Sequence, residues 1–461
     1  MTQQTCDLLL TGGTVVTADD EWRVLDPGAV AVTGSVITAV GTPEELADHT
    51  ARRTVDCTGR VVIPGLVDCH NHLFQLLGRG LGEGMALWPW LSTFMWPYAG
   101  GITREEAVAG VTVGALEAAR SGTTCVVDNH YAPSDVQTVL AVAAAVDEVG
   151  LRGVIARGMT GEKTQVAIDG RLSDALFRYS DEEEVAMTQE CIAARRGTRV
   201  EVWPAPLNVI YNTQDLVRRA VELARAEGTR WHTHCSEAEA DPQIYLDAYG
   251  VRPIQWLHQE GLLGPEATIA HAIWLDDAEV AAVGETRTGL SYNPQSNQYL
   301  ASGAMRLRDT RAAGATVGMG ADGSAGHCSD MFQVMKQAVY VQRLATLDPE
   351  AATAREVFAL ATRGGAQYAG LDAGQVAVGR LADLAVVDVS QPRHAPLHDV
   401  VSTLVYSCTG SDVTMTIVDG EVVYEDGRAT RVDAAEAVAE AEARGGELAR
   451  RVGLASRLAE R

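Results

Sequence analysis

The sequence predicts an α/β chain: a (β/α)8 barrel with a small composite β-sandwich built from both termini. Three observations carry this. Short apolar strands and helix-like segments alternate eight times through the middle of the 461-residue chain. Both ends are instead rich in glycine-punctuated, β-branched runs. And polar residues that can do chemistry fall at the carboxyl ends of the middle strands, where barrel enzymes keep their sites.

The amino-terminal region, 1–60, reads as strands and turns: "CDLLLTGGTVVTADD", "GAVAVTGSVITAVG", "TVDCTGRVVIPG". The same texture returns over 374–430, in "GRLADLAVVDVS" and "VTMTIVDGEVVYEDG". Between them, 61–373 forms the barrel. Its first strand is "VVIPGLVDCHNH". The helix "TREEAVAGVTVGALEAARSG" leads to "TTCVVDNH", and "SDVQTVLAVAAAVDEVG", opening on a Ser/Asp cap and closing on Gly, leads to "LRGVIARG". "DEEEVAMTQECIAARRG" precedes "VEVWPAPL", and "DLVRRAVELARAEG" precedes "TRWHTHCSE". One helix, "DPQIYLDAYGVRPIQWLHQEG", precedes "ATIAHAIWL", and "DDAEVAAVGE" precedes "TGLSYNP". "AMRLRDTRAAG" precedes the eighth strand, "ATVGMGADG". A doubly wound open sheet is the alternative; it is weighted lower because no glycine-rich phosphate loop follows the first strand. The stretch 431–461 reads as a charged helix free to pack on a neighbouring subunit.

Composition narrows the function. A formal charge of −24 argues against nucleic acid or an anionic membrane as partner. No apolar run is long enough for a membrane span, and the opening residues lack a signal-peptide pattern. The eight cysteines are scattered without a CxxC pair, which points to reduced thiols and a cytoplasmic setting.

His70 and His72 end the first barrel strand two residues apart, so both imidazoles project to one side. An isolated His-x-His pair is commonly accidental and needs partners. His130 ends strand two, His232 and His234 end strand five, His271 ends strand six and Asp322 ends strand eight; six of the eleven histidines lie at four strand ends. A set converging on one barrel mouth is better explained as a site than as separate core residues. His234 and Asp322 complete a metal site with His70 and His72. Three imidazoles and a carboxylate suit one divalent ion, Zn²⁺ first and Fe²⁺ as the alternative, with a position for water. The ion would lower that water's pKa, giving a hydroxide that attacks an sp² carbon. Glu237, three residues past His234, is placed to shuttle the proton. His271 is placed to hydrogen-bond the tetrahedral centre, and Asp322 to accept the water's proton. His232 lies deeper and reads as filler of the barrel interior; Cys69 and Cys235 read as packing.

These residues sit in "PGLVDCHNHLFQLLGRG", "SGTTCVVDNHY", "HTHCSEAEAD", "AHAIWL", "NPQSNQYLASGAMRL" and "GMGADGSAG". In these motifs, and over about the whole chain, the sequence resembles the amidohydrolase superfamily, in its branch of aminohydrolases and chlorohydrolases. The resemblance implies a mononuclear metal centre on His70, His72, His234 and Asp322, with Glu237 and His271 catalytic. Other branches hold two metals around a carboxylated lysine. Strand four here has no lysine, and Lys163 lies beyond strand three, so the two-metal form is not expected. Some dechlorinating members lack a glutamate at the position of Glu237, and its presence favours deamination, because departing ammonia needs a proton.

The expected function is therefore hydrolytic deamination of a small amino-substituted heterocycle of purine, pterin, pyrimidine or triazine type. Hydrolysis of a cyclic amide, a guanidine-like C–N bond or C–Cl by the same site is the alternative. A catalytically silent barrel is not expected, since no member of the six-residue set is missing. Gln75, Trp88, His130, Arg157 and His327 are expected to contact substrate: Trp88 by stacking on a ring, His130 and Arg157 from the ends of strands two and three. The branch also implies a homodimer or higher homo-oligomer.

Overall fold

The computed structural model describes residues 4–454. The two ends of the chain meet in one hydrogen-bonded sheet of nine strands. The strand Arg60–Pro64 lies at its centre, parallel to Gln4–Val16 on one side and antiparallel to Leu384–Asp388 on the other. The stretch expected as a single first barrel strand is thus two strands. Pro64 lacks an N–H and Gly65 has no room for a Cβ against Thr124, so the chain breaks there. Arg60–Pro64 stays in the terminal sheet and Leu66–His72 enters the barrel.

The barrel strands form two parallel arcs. One runs Leu66–His72, Thr123–His130, Arg152–Met159, Val200–Pro206; the other runs Trp231–Cys235, Ala267–His271, Gly289–Tyr292, Thr316–Met319. Their residues are buried on both faces with few exceptions, Glu201 being exposed. Asn208 bridges to His234 between the arcs, and on the other side Asp322–Gly323 pairs with Asn71 and His72. The Asp68 carboxylate reinforces this second junction. It accepts from the backbone N–H groups of His70 (3.3 Å) and Ala321 (3.0 Å) and from Asn71 Nδ2 (2.7 Å). The eighth strand therefore reaches the site as two pieces, and Asp322 lies in the second.

The outer helices start where capping chemistry dictates. Capping boxes open Arg104–Arg120 (Thr103, Glu106), Asp181–Arg195 (Ser180, Glu183) and Asp277–Glu285 (Asp276, Glu279). The helix expected before the sixth strand is two, Asp241–Tyr249 and Pro253–Gln259, separated by Gly250 at φ 74° and by Pro253. The carboxyl-terminal helix, Ala434–Arg451, packs against this chain's own barrel rather than standing free. Leu448 is buried, Gly445 abuts Leu77, and Arg451 pairs with Glu106. The part of the charged tail beyond residue 454 lies outside the described residues. Among those residues no helix is long and apolar enough to cross a membrane.

Candidate active site

Strand alternation brings His70 and His72 to the barrel mouth, the fifth strand brings His232 and His234, and the sixth brings His271. The chain then turns sharply after the fifth, sixth and eighth strands. His271 and Asp322 hold φ of 72° and 67°, and Ser236 holds 54°. Left-handed backbone at L-residues is costly, and it aims these side chains inward.

The hydrogen bonds set the tautomers. His72 Nδ1–H donates to the Asn129 carbonyl (2.7 Å), and His234 Nδ1–H to the Leu207 carbonyl (2.6 Å). Their Nε2 lone pairs are therefore bare, and they face each other at 3.2 Å. His70 is set by a longer chain. The Thr268 hydroxyl donates to the Trp231 carbonyl (2.7 Å), so its oxygen accepts from His232 Nδ1–H (3.0 Å). His232 Nε2 is then the acceptor for His70 Nδ1–H at 2.9 Å. That leaves His70 Nε2 bare, buried and without a hydrogen-bond partner. Asp322 Oδ1 completes the cluster, 3.3 Å from His70 Nε2 and 3.5 Å from His72 Nε2.

This donor set fits a divalent cation. Bare imidazole lone pairs 3.2 Å apart repel unless a positive charge lies between them. For bonds of about 2.1 Å, ligand atoms around a tetrahedral ion lie roughly 3.4 Å apart. The distances match that edge better than they match hydrogen bonds. Burial favours the neutral form that a ligand needs at His72 and His234. Burial first, then neighbouring His70, pulls His72 down to about 3 and His234 well below its ordinary value.

His271 and Glu237 stand beside the cluster. Asn293 Oδ1 is taken by the Ser291 hydroxyl (2.7 Å), so its amide NH₂ faces His271 Nδ1 at 3.4 Å. The Asn297 amide oxygen lies nearer that nitrogen, at 3.2 Å, and accepts from it when Nδ1 carries the proton. His271 Nε2 points between Glu237 Oε2 (3.4 Å) and Asp322 Oδ2 (3.6 Å). Burial, the Asp322 charge and then Asp241 push the Glu237 carboxyl well above the ordinary range.

Two small cavities flank the cluster. One, of about 40 Å³, is bordered by Gln75, Trp90, Tyr299 and His327 with Glu237, His271 and Asp322. The other, of about 50 Å³, is bordered by Trp88, Trp96, Tyr131 and Tyr211 with His72, His234 and Glu237. A far larger concavity of about 790 Å³, walled by Arg287, Arg311 and Arg363, opens at the amino ends of the seventh and eighth strands, away from these groups.

Of the residues expected to contact substrate, Gln75, Trp88 and His327 border the cavities, though Trp88 also donates its indole N–H to Asp241 (3.2 Å). His130 and Arg157 do not, and the expectation for both is corrected. His130 is fully buried behind Phe74, and its Nε2–H donates to the Pro133 carbonyl (2.9 Å). Arg157 is fully buried between strand and helix, paired with Glu184 (2.7 Å) and bonded to Thr188 (2.8 Å) and the Ser134 carbonyl (2.9 Å). Both side chains turn outward from the barrel instead of up to its mouth. The reading of His232 as filler is also incomplete, because it orients His70. The His-x-His spacing in "WHTHC" already put it on the ligand face. Asp241, four residues past Glu237, was missed altogether. It accepts from the backbone N–H groups of Glu237 (3.0 Å) and Ala238 (2.9 Å) and so shapes the Glu237 turn.

Fold and site together define the class: a barrel hydrolase with a histidine-rich cluster that suits a divalent metal. The amidohydrolase family model matches residues 61–423. A 5-methylthioadenosine/S-adenosylhomocysteine deaminase of Natronomonas pharaonis is 36% identical over 96% of this chain and 98% of its own length. A 5'-deoxyadenosine deaminase of Methanothermobacter thermautotrophicus is 33% identical over 91% of this chain and 93% of its own. Among solved structures, an adenosine deaminase from Xanthomonas campestris with bound zinc superposes with a TM-score of 0.90 at 28% identity, covering 97% of this chain and 99% of that one. An atrazine chlorohydrolase from Arthrobacter aurescens complexed with zinc gives 0.85 at 25% identity, over 95% of this chain and all of that one. The chain belongs to the amidohydrolase family.

Proposed function

We propose that the chain is a metal-dependent deaminase of an amino-substituted heterocycle, with an adenine-type ring as the leading substrate class. The observation that carries this is the placement of the Glu237 carboxyl and the His271 ring beside the cluster of His70, His72, His234 and Asp322, with His271 Nε2 3.4 Å from Glu237 and 3.6 Å from Asp322. A divalent ion on His70, His72, His234 and Asp322, zinc first and iron second, would supply the Lewis acidity that makes water a nucleophile at neutral pH. Asp322 accepts the proton that water gives up. Glu237 delivers its proton to the ring nitrogen next to the reacting carbon, recovers one from the hydroxyl of the tetrahedral carbon and passes it to the departing amine, which leaves as ammonia; the proton taken up by Asp322 then restores Glu237. His271 hydrogen-bonds the oxygen of the tetrahedral carbon through Nε2 when that nitrogen carries the proton, and the Asn293 and Asn297 amides at Nδ1 hold its ring in place. Gln75, His327 and Trp88 border the space where the ring must lie.

The names of the deaminase relatives support the adenine-type class; the likeness to a chlorohydrolase supports a second reading, in which the same site displaces chloride. Ammonia release from 5'-modified adenosines, aminated pyrimidines, pterins and aminotriazines, with zinc- or iron-loaded protein, tests the proposal. Ammonia from the adenosines is expected. Chloride from a chlorotriazine without ammonia from any amine would select the second reading. We further infer a homo-oligomer, supported by the exposed Tyr340, Leu344 and Leu347 along one helix, which light scattering tests. The eight free thiols support a reducing, cytoplasmic setting.

A further inference from the structure

A second group of ligand-type side chains lies away from the barrel mouth, in the connection between the strands Leu384–Asp388 and Val413–Val418. His394 ends the short turn Pro392–His394, Cys408 follows the helix Val400–Tyr406, and Asp412 closes the turn Gly410–Asp412. They are 2%, 1% and 4% exposed. A ring nitrogen of His394, the Cys408 sulfur and a carboxylate oxygen of Asp412 all lie within 4.8 Å of one another.

His394 is the telling member. Neither of its ring nitrogens has a hydrogen-bond partner, although the side chain is buried. An imidazole deprived of both water and partners is unfavourable unless something else satisfies it. Its Nε2 lies 3.6 Å from Asp412 Oδ2, too long for a hydrogen bond but close to the roughly 3.4 Å edge between ligands on a tetrahedral ion. Asp412 is held ready: Oδ1 pairs with Arg393, and Oδ2 accepts from the Thr409 backbone N–H at 2.9 Å.

We propose that His394, Cys408 and Asp412 form a second metal site that takes a divalent cation of zinc type, distinct from the centre at the barrel mouth. A nitrogen, a sulfur and an oxygen donor match that ion, with solvent in the fourth position. The cation would tie three turns of an otherwise irregular connection into the terminal sheet. Burial first, and the Asp412 charge second, push the Cys408 thiol up to about 12, so the empty site holds a neutral thiol. Binding therefore forms one metal–sulfur bond and releases the thiol proton to solvent.

Cobalt(II) loading of the full chain tests this, because the donors at the barrel mouth include no sulfur. A thiolate-to-cobalt charge-transfer band is expected, together with a second metal ion per chain by elemental analysis. The band should survive His70→Ala and disappear in Cys408→Ser, with the second ion lost and the first retained. A single ion per chain in the unaltered protein, without the band, would overturn the proposal and mean that His394 and Asp412 are only an ion pair. That outcome needs no variant to fold. A band persisting in Cys408→Ser but lost in Cys328→Ser would overturn it equally, by tracing the sulfur to the half-buried thiol beside His327.

Discussion

At the scale of single residues, the candidate site is organised by where protons sit. Each imidazole that turns a bare Nε2 inward has its other nitrogen held by a fixed acceptor: the carbonyls of Asn129 and Leu207, and His232. His232→Phe removes the acceptor of His70 Nδ1–H. Metal affinity, read by chelator competition, should weaken about 10–100-fold, and unchanged affinity would refute the orienting role. Glu237→Gln keeps the size of the side chain but cannot deliver a proton. Turnover should fall by about 10²–10⁴ with metal content intact; near-normal turnover would remove Glu237 from the mechanism.

At the scale of elements, the turn after the fifth strand and the aromatic segment over the mouth are joined through one carboxylate. Asp241 accepts from Glu237 and Ala238 N–H through one oxygen and from Trp88 Nε1–H through the other. Trp88→Phe keeps an aromatic ring at the cavity edge and deletes that last bond. A hydrogen bond to a charged group contributes about 1.5–3 kcal/mol, so kcat/KM should fall about tenfold or more with metal content unchanged. Full activity in this variant would show that the segment and the turn act independently. Cavities of about 40 and 50 Å³ are also far smaller than the roughly 300 Å³ that small-molecule sites occupy. The Leu87–Trp96 stretch bordering them must therefore shift to admit a ring, and kcat should show a dependence on solvent viscosity if that shift limits turnover.

At the scale of the whole molecule, buried carboxyls make stability depend on pH. Burial pushes Asp128 from its ordinary 3.8 up to about 7, while its Oδ1 accepts from Leu73 N–H (2.8 Å). The folded state thus holds this proton more tightly than the unfolded chain. Its stabilising contribution is fully present below about pH 4 and is lost as pH rises through about 7. Asp128→Asn keeps an acceptor for Leu73 without the titration. The variant should gain denaturant midpoint relative to the unaltered protein between those pH values and hold the gain above them. A pH-independent difference would mean that Asp128 does not titrate in this range.

Local patterns in the chain are enough to read the order of the eight strands, the strand-rich texture of both termini and the six polar residues proposed for the site. Those features rest on periodicities and strand-end positions that the chain carries locally: apolar runs, capping residues, and imidazoles two apart on one strand face. Only the tertiary structure decided the rest. Whether His130 and Arg157 face substrate depended on which way a strand-end side chain turns, and contacts with Phe74, Glu184 and Thr188, far off in sequence, turned them outward. The role of His232 needed the depth of its strand against that of His70. The pairing of Asp68 with Ala321, which seats Asp322, joins residues 253 positions apart. Tautomers and ionisation likewise follow from burial and from partners brought together by folding, and no local pattern encodes them.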